Sequence, residues 1–238
     1  MSPEPLGDVM IHCSICGGTE FEDRPVLWPG LIFEWELSSS EVTYINRQQG
    51  RTCVSCGGNL RTMVLCKALL AAWDAEGPLA SFVEQARART IDILDLNGAA
   101  GIGNLLASLP GYRLASYPQE DIQSLSYADK SFDVVLHSDT LEHVPNPVKG
   151  LQECYRVLRV GGLLAYTVPI IIGRLSRRRD GLIPSYHGDP SQGGEDFRVQ
   201  TEYGADAWCQ VLKAGFDHVT LTALDFPAAH AMSARRSR

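Results

Sequence analysis

An α/β fold with a mostly parallel sheet is predicted by the order of segments over residues 91–226, where strand-like and helix-like runs alternate. Two further observations complete the outline. Two Cys-x-x-Cys pairs lie within residues 1–62, which predicts a small four-cysteine subdomain ahead of the sheet. Residues 63–90 repeat apolar side chains at helical spacing and read as a helical connector. The last stretch, 227–238, ends in "AMSARRSR" and is expected to be a flexible tail.

The elements follow in order. "LIFEWEL" (31–37) and "EVTYI" (41–45) alternate apolar and polar residues and predict short strands in the cysteine-bearing region. Trp28, Phe33, Trp35 and Tyr44 are its candidate core, with some expected to line a substrate cleft. Leu65, Leu69, Ala72 and Trp73 share one helical face, and "GPLASFVEQARA" restarts after a Gly-Pro break. Then come strand "IDILDL", helix "GNLLASL", strands "YRLASY" and "FDVVLHS", helix "PVKGLQECYRVL" and strand "GLLAYTVP". Helix "ADAWCQVLKAG" and strand "HVTLTAL" close the domain.

"CSICGG" and "CVSCGG" place Cys13 with Cys16 and Cys53 with Cys56, each pair followed by two glycines. A tight knuckle aims both sulfurs at one point, and glycine allows the backbone geometry it needs. Four thiolates fill the tetrahedral shell of Zn²⁺, so a structural zinc ribbon is expected, with no open position for catalysis. The 36 residues between the pairs exceed the usual ribbon spacing and require an inserted loop or hairpin. Cys66, Cys154 and Cys209 fall in helical patterns and read as small core residues.

Composition narrows the partners. A net charge of −7 argues against nonspecific nucleic-acid or anionic-membrane binding. The region 1–62 carries four arginines against eight acids, the wrong balance for a nucleic-acid reader. No apolar run approaches the ~20 residues of a membrane span, and "MSPEPLGDVM" has no signal-peptide pattern. The expected location is cytoplasmic, where disulfides are rare.

"ILDLNGAAG", "SLSYADKSFDVVLHSDTLEHVPNP" and "ECYRVLRVGGLLAYTVP" together resemble the class I S-adenosylmethionine-dependent methyltransferases of the type 11 kind. The resemblance covers about a third of the chain closely. It implies a compact Rossmann-like sheet with helices on both faces and S-adenosylmethionine as cofactor. By the same resemblance, Asp95 fixes the methionine end of the cofactor. Asn97, Ala99 and Gly101 stand where the family's three glycines stand, and Gly98 lies among them. Asn tolerates left-handed backbone, whereas the Ala99 methyl is expected to crowd the cofactor. Ser116 follows the second strand in place of the usual acid. Glu120 is then the candidate ribose ligand, and Asp121 and Ile122 are the candidate adenine contacts. Only about 15 residues separate "YRLASY" from "FDVVL", so the family's third strand and its helix are expected to be missing.

For the reaction end, "HSDTLEHVP" supplies His137, Asp139, Glu142 and His143, with Asp139 expected to face the cofactor's amino-acid end. "SYHGDP" supplies Tyr186, His187 and Asp189. His143 and His187 are the rival general bases, although Glu142-His143 also reads as a brace for the following helix. Arg174, Arg177, Arg178 and Arg179 form either an anion clamp for the acceptor or a solvated surface run. Three functions stay open: methyl transfer to a small molecule such as a sugar or an anionic metabolite, a non-catalytic relative acting as scaffold, and RNA base methylation.

Overall fold

The computed structural model describes residues 11–99, 101–187 and 194–237. Asp189 therefore lies outside the described residues. The chain begins with two strands that pair antiparallel, β1 (Phe21–Asp23) and β2 (Arg51–Cys53). Between them run two helices, α1 (Pro29–Glu34) and α2 (Ser39–Gly50), where alternation predicts strands. Local chemistry overrides that alternation. Pro29 opens α1 with a preset φ, and Ser38 with Glu41 forms a capping box on α2. Helical spacing then buries Leu31 with Trp35, and Tyr44 with Gln48. Phe33, expected in the core, is 86% exposed instead.

Helix α3 (Leu60–Ala72) starts at Asn59, whose side chain accepts the Thr62 N–H at 2.9 Å. It packs across the main sheet, so this part of the expected connector is a layer of the fold. Helix α4 (Leu79–Val83) and a 3-10 turn (Ala86–Thr90) follow. Strand β3 (Ile93–Leu96), helix α5 (Gly103–Leu106), strands β4 (Tyr112–Ala115) and β5 (Phe132–Ser138), helix α6 (Pro147–Val157) and strand β6 (Leu158–Thr167) form the parallel half. Two-residue strands β7 (Ile170–Ile171) and β8 (Arg177–Arg178) pair with β9 (Thr201–Gly204) in a small separate sheet. Helix α7 (Cys209–Lys213) and strands β10 (Thr220–Leu224) and β11 (Ala229–Arg235) complete the chain.

The main sheet has the order β10-β11-β6-β5-β3-β4. β3 pairs parallel with β4 and β5, and β5 parallel with β6, while β10 and β11 run antiparallel. Among the described residues β4 is an edge, so the third strand is absent as the short spacing implies. The expected flexible tail is contradicted over 229–235: β11 pairs with β6 from Met232↔Tyr166 to Arg235↔Leu163. Small, alternating Ala229, Ala231 and Ala234 let neighbouring layers approach β11 from both faces. The same period of two divides the sheet's core. Ile93, Val134, Leu163 and Ala231 pack on one face; Leu94, Val135, Leu164 and Met232 pack on the other. No helix among the described residues is long and apolar enough to cross a membrane.

Candidate active site and cysteine cluster

The two cysteine knuckles are copies in geometry. Cys13 N–H donates to Gly18 O at 2.8 Å, and Cys53 N–H donates to Gly58 O at 2.9 Å. Gly17 and Gly57 take φ of +84° and +73°, the left-handed region that glycine enters without strain. The antiparallel β1–β2 pair brings the knuckles together. Cys13 Sγ lies 3.6 Å from Cys56 Sγ, and Cys16 Sγ lies 3.6 Å from Cys53 Sγ. These are far longer than a disulfide and close to the ~3.8 Å edge of a tetrahedron with Zn–S near 2.3 Å. All four sulfurs lie within 4.8 Å of one another, so the cluster suits a metal ion. Burial pushes the Cys53 thiol up, but the N–H groups of Cys56 and Ser55 outweigh it and bring it down to about 7.

At the carboxyl end of β3, Asp95 is fully buried. It accepts from Ala99 N–H at 2.8 Å and from Tyr112 Oη at 2.8 Å, which fixes the following turn. Burial pushes this carboxyl up to about 6 against both hydrogen bonds. Asn97, Gly98 and Gly101 take φ of +66°, +76° and +85°. Asn97 occupies a left-handed position that few other side chains tolerate, and its Oδ1 accepts from Tyr117 N–H at 2.8 Å. A methyl on Gly101 would lie 3.2 Å from Thr62, so the turn sits against the start of α3.

Beyond this turn opens a cavity of about 660 Å³, lined by Asn97, Ser116, Asp121, Ile122, Asp139 and His143 among others. Its lining corrects two expectations. Ala99 is 2% exposed and belongs to the core against α3 and α4, so its methyl points away from the cavity. Glu120 does not line it, because its carboxylate is held by Ser126 through the N–H at 3.0 Å and the hydroxyl. Asp121 lines the cavity and accepts from its own loop at Gln123 N–H, 2.8 Å away.

A second cavity of about 300 Å³ adjoins the first and shares Asp139, His143 and Phe197 with it. Its far wall comes from the N-terminal region, with Trp28, Leu31 and Trp35 facing Ile170 and Ile171. The Trp35 indole N–H donates to Ser185 Oγ at 2.9 Å, and its ring lies 5.6 Å from the His187 ring. Arg61, 2% exposed, pairs with Asp139 and donates also to Gln48. Sequence reasoning missed Arg61. Its only cue is an arginine two residues into a helix whose every other early position is apolar or small.

Where the two cavities meet, three side chains converge. Glu142 is 1% exposed, and its Oε1 lies 3.7 Å from His143 Nε2 and 3.8 Å from His187 Nδ1. His143 Nδ1 lies 3.1 Å from the Arg198 carbonyl oxygen. Burial pushes Glu142 up, but the facing imidazoles hold it below the ordinary carboxylate value. His137, from the same motif, is elsewhere. It is fully buried, stacked 4.6 Å from the Tyr166 ring, and burial lowers it to about 3.

The four arginines after β6 do not face the cavities as a free clamp. Arg174 pairs with Glu41 at 2.6 Å, Arg177 with Glu202 at 2.7 Å and Arg178 with Asp180 at 3.1 Å. Arg179 pairs with Glu34 and Glu202. Arg174 and Arg179 tie this region to α2 and α1, while Arg177 and Arg178 pair within it.

Residues 79–166, from α4 to the end of β6, match the family model for a methyltransferase domain. That segment is similar to a methyltransferase domain. Over 47 residues it is 47% identical to the ubiquinone/menaquinone biosynthesis C-methyltransferase UbiE of Bdellovibrio bacteriovorus, which is 20% of each chain. Over 59 residues it is 41% identical to an uncharacterized methyltransferase of Mycobacterium sp. (strain KMS), or 25% of this chain and 23% of that one. The chain thus spans about a fifth of the length of the curated relatives it matches. Among solved structures, it resembles a SAM-dependent methyltransferase from Methanosarcina mazei at TM-score 0.40 and 16% identity, over 68% of this chain and 98% of that one. It also resembles a chain of the complex between the Haloferax volcanii Trm112 methyltransferase activator and a methyltransferase, at TM-score 0.41 and 16% identity, over 62% and 83%. The matched segment holds the glycine turn and Glu142-His143, whereas Arg61, the N-terminal wall and His187 lie outside it.

Proposed function

We propose that the protein transfers a methyl group from S-adenosylmethionine to a small acceptor with an apolar body and one ionisable hydroxyl or amine. The supporting observation is the pair of adjoining cavities that meet at Asp139 and His143. S-adenosylmethionine, when bound, supplies a methyl group on a positively charged sulfur, whose loss leaves a neutral thioether. Asn97, Ser116, Asp121 and Ile122 are the proposed cofactor contacts in the larger cavity. Asp95 acts through the backbone, holding the turn that Asn97 and Gly98 shape. Asp139 marks the methionine end, held there by Arg61.

The smaller cavity selects the acceptor. Trp28, Leu31, Trp35 and Ile171 suit an apolar ring or chain, and water is excluded from the reacting centre as it binds. Because the arginines after β6 already bind internal acids, an anionic sugar or phosphate is not what this wall favours. Either His143 or its rival His187 takes the acceptor's single proton, and buried Glu142 stabilises the charge that imidazole gains. The four cysteines are proposed to hold a structural Zn²⁺ that fixes the N-terminal wall.

Calorimetric titration with S-adenosylhomocysteine tests the cofactor half. Asp121→Ala is expected to weaken binding ~10-fold or more, as loss of a charged hydrogen-bond partner does. Glu120→Ala should leave it unchanged. Equal effects would misplace the adenine end, and no heat from the unsubstituted chain up to millimolar ligand would favour a non-catalytic role.

A further inference from the structure

We infer that Glu142, His143 and His187 form a divalent metal site at the junction of the two cavities, separate from the four cysteines. Three observations carry it. The first is convergence. One ligand atom from each residue lies within 4.8 Å of the others, with Glu142 Oε1 at 3.7 and 3.8 Å from the two imidazole nitrogens. A tetrahedral ion with bonds near 2.0–2.1 Å holds its ligands about 3.4 Å apart. The two Glu142 gaps are too long for direct hydrogen bonds and need to close by only a few tenths of an ångström around an ion.

The second observation is a buried carboxylate without a hydrogen bond, faced by the two imidazoles. Glu142 is 1% exposed, and neither of its oxygens accepts a hydrogen bond among the described residues. A buried carboxylate left so is costly unless a cation faces it. Arg61 is the nearby arginine, but it is bound to Asp139 and Gln48 instead.

The third is the tautomer of His143. Its Nδ1 lies 3.1 Å from the Arg198 carbonyl oxygen, an acceptor only, so Nδ1 carries the hydrogen. In the neutral ring Nε2 then presents a lone pair toward the Glu142 carboxylate. Two acceptors face each other there, and an ion between them turns repulsion into ligation. Imidazole ligands are commonly oriented by this kind of N–H to carbonyl bond.

Two histidines and one carboxylate leave positions open for an exogenous ligand, unlike the closed four-cysteine set. The open side faces the smaller cavity, where Phe197 and Trp28 also lie. The role of the ion rests on the proposed methyl transfer: it would bind the acceptor's oxygen and lower its pKa, with His143 and His187 acting as ligands in place of a base. The metal site itself does not depend on that reading.

The test adds Co²⁺ to the full-length protein already loaded with Zn²⁺ and follows binding by calorimetry and visible absorption. One equivalent should bind with the spectrum of nitrogen and oxygen ligands. Glu142→Gln and His187→Ala should each weaken it more than ~10-fold, while both variants keep S-adenosylhomocysteine binding as proof of folding. Absence of Co²⁺ binding at millimolar concentration overturns the inference. So does binding that survives both substitutions, or thiolate-to-cobalt absorption showing that the ion entered the cysteine cluster. Loss of homocysteine-ligand binding by the unsubstituted protein, with Co²⁺ binding intact, would instead count against the methyl-transfer reading alone.

Discussion

The four-cysteine cluster and the Glu142–His143–His187 cluster are built in opposite ways. Each cysteine pair is one knuckle closed by its own backbone hydrogen bonds, and a two-strand ladder joins the copies. Its geometry is local twice over. Glu142 and His143 sit on a 3-10 turn after β5, and His187 arrives from a loop more than forty residues later. That loop is held by His187 N–H to Phe197 O at 3.0 Å and by Trp35 from the N-terminal region. The first cluster is rigid and closed; the second is open and assembled from three parts of the fold. On the proposed reading, one cluster would stabilise the wall and the other would face what the wall encloses.

The sharpest way to break that division is Cys53→Ser. Structural zinc sites hold their ion with apparent free energies of about 10 kcal/mol or more, and that energy is folding energy. Bound zinc should fall from one equivalent to near zero, with the N-terminal unit melting. Through Trp35 and Arg61 the loss should reach the smaller cavity, while the α/β sheet persists by circular dichroism. Full zinc content in this variant would contradict the four-thiolate set.

Next in size is the link between the regions. Arg61→Ala leaves Asp139, about a third exposed, without its partner; solvent screening of that carboxylate holds the cost to about 2–3 kcal/mol, below that of a fully buried pair. Urea denaturation measures it. The double variant Arg61→Met, Asp139→Asn should recover part of the stability, since it removes both charges and Asn tolerates the φ of +51° at position 139. If Arg61→Ala costs under about 1 kcal/mol, the pair is not what joins α3 to the end of β5.

His137 gives a smaller, pH-dependent contrast with its neighbours in the same motif. Its folded value is about 3 against an unfolded value near 6.5. The unfolded chain therefore binds the proton more readily, and stability falls as pH drops below 6.5 toward 3. At pH 5 the loss is about 2 kcal/mol. His137→Phe keeps the ring against Tyr166 and should abolish that loss while changing little at pH 8. Asp95 works the other way: its folded value of about 6 lies above the unfolded ~3.9, so stability rises as pH falls between them. Comparing denaturation at pH 8 and 5 in His137→Phe separates the two; an unchanged acid slope would mean His137 is not the buried neutral group.

Much of this was legible in the sequence, and the failures share a cause. Cysteine spacing, β3 through β6 and the missing third strand are local patterns, and they read correctly. Period-two alternation misread α1 and α2, because Pro29 and the Ser38–Glu41 box decide those segments and alternation cannot see caps. The basic ending "AMSARRSR" hid β11, whose pairing with β6 is a long-range fact. The arginine run looked like an anion site because its acids, Glu34, Glu41 and Glu202, are distant in sequence. Glu142 read as a brace for the next helix, and nothing local told its unpartnered oxygens from those of any other acid.

Ala99 carries the smallest and most exact comparison between sequence and structure. Aligned with a glycine of the family, it is expected to crowd a cofactor, and Ala99→Gly would then tighten binding. In the fold its methyl is buried among core side chains, and its N–H is what Asp95 holds. Removing the methyl loses roughly 0.8 kcal/mol of burial and frees the backbone of a turn that Asp95 has to order. The expected result is a destabilisation of about 1 kcal/mol, read by thermal melting, with affinity for S-adenosylhomocysteine unchanged or slightly weaker. A clear gain in affinity would place the methyl in the cavity after all and move the bend of the glycine turn by one residue.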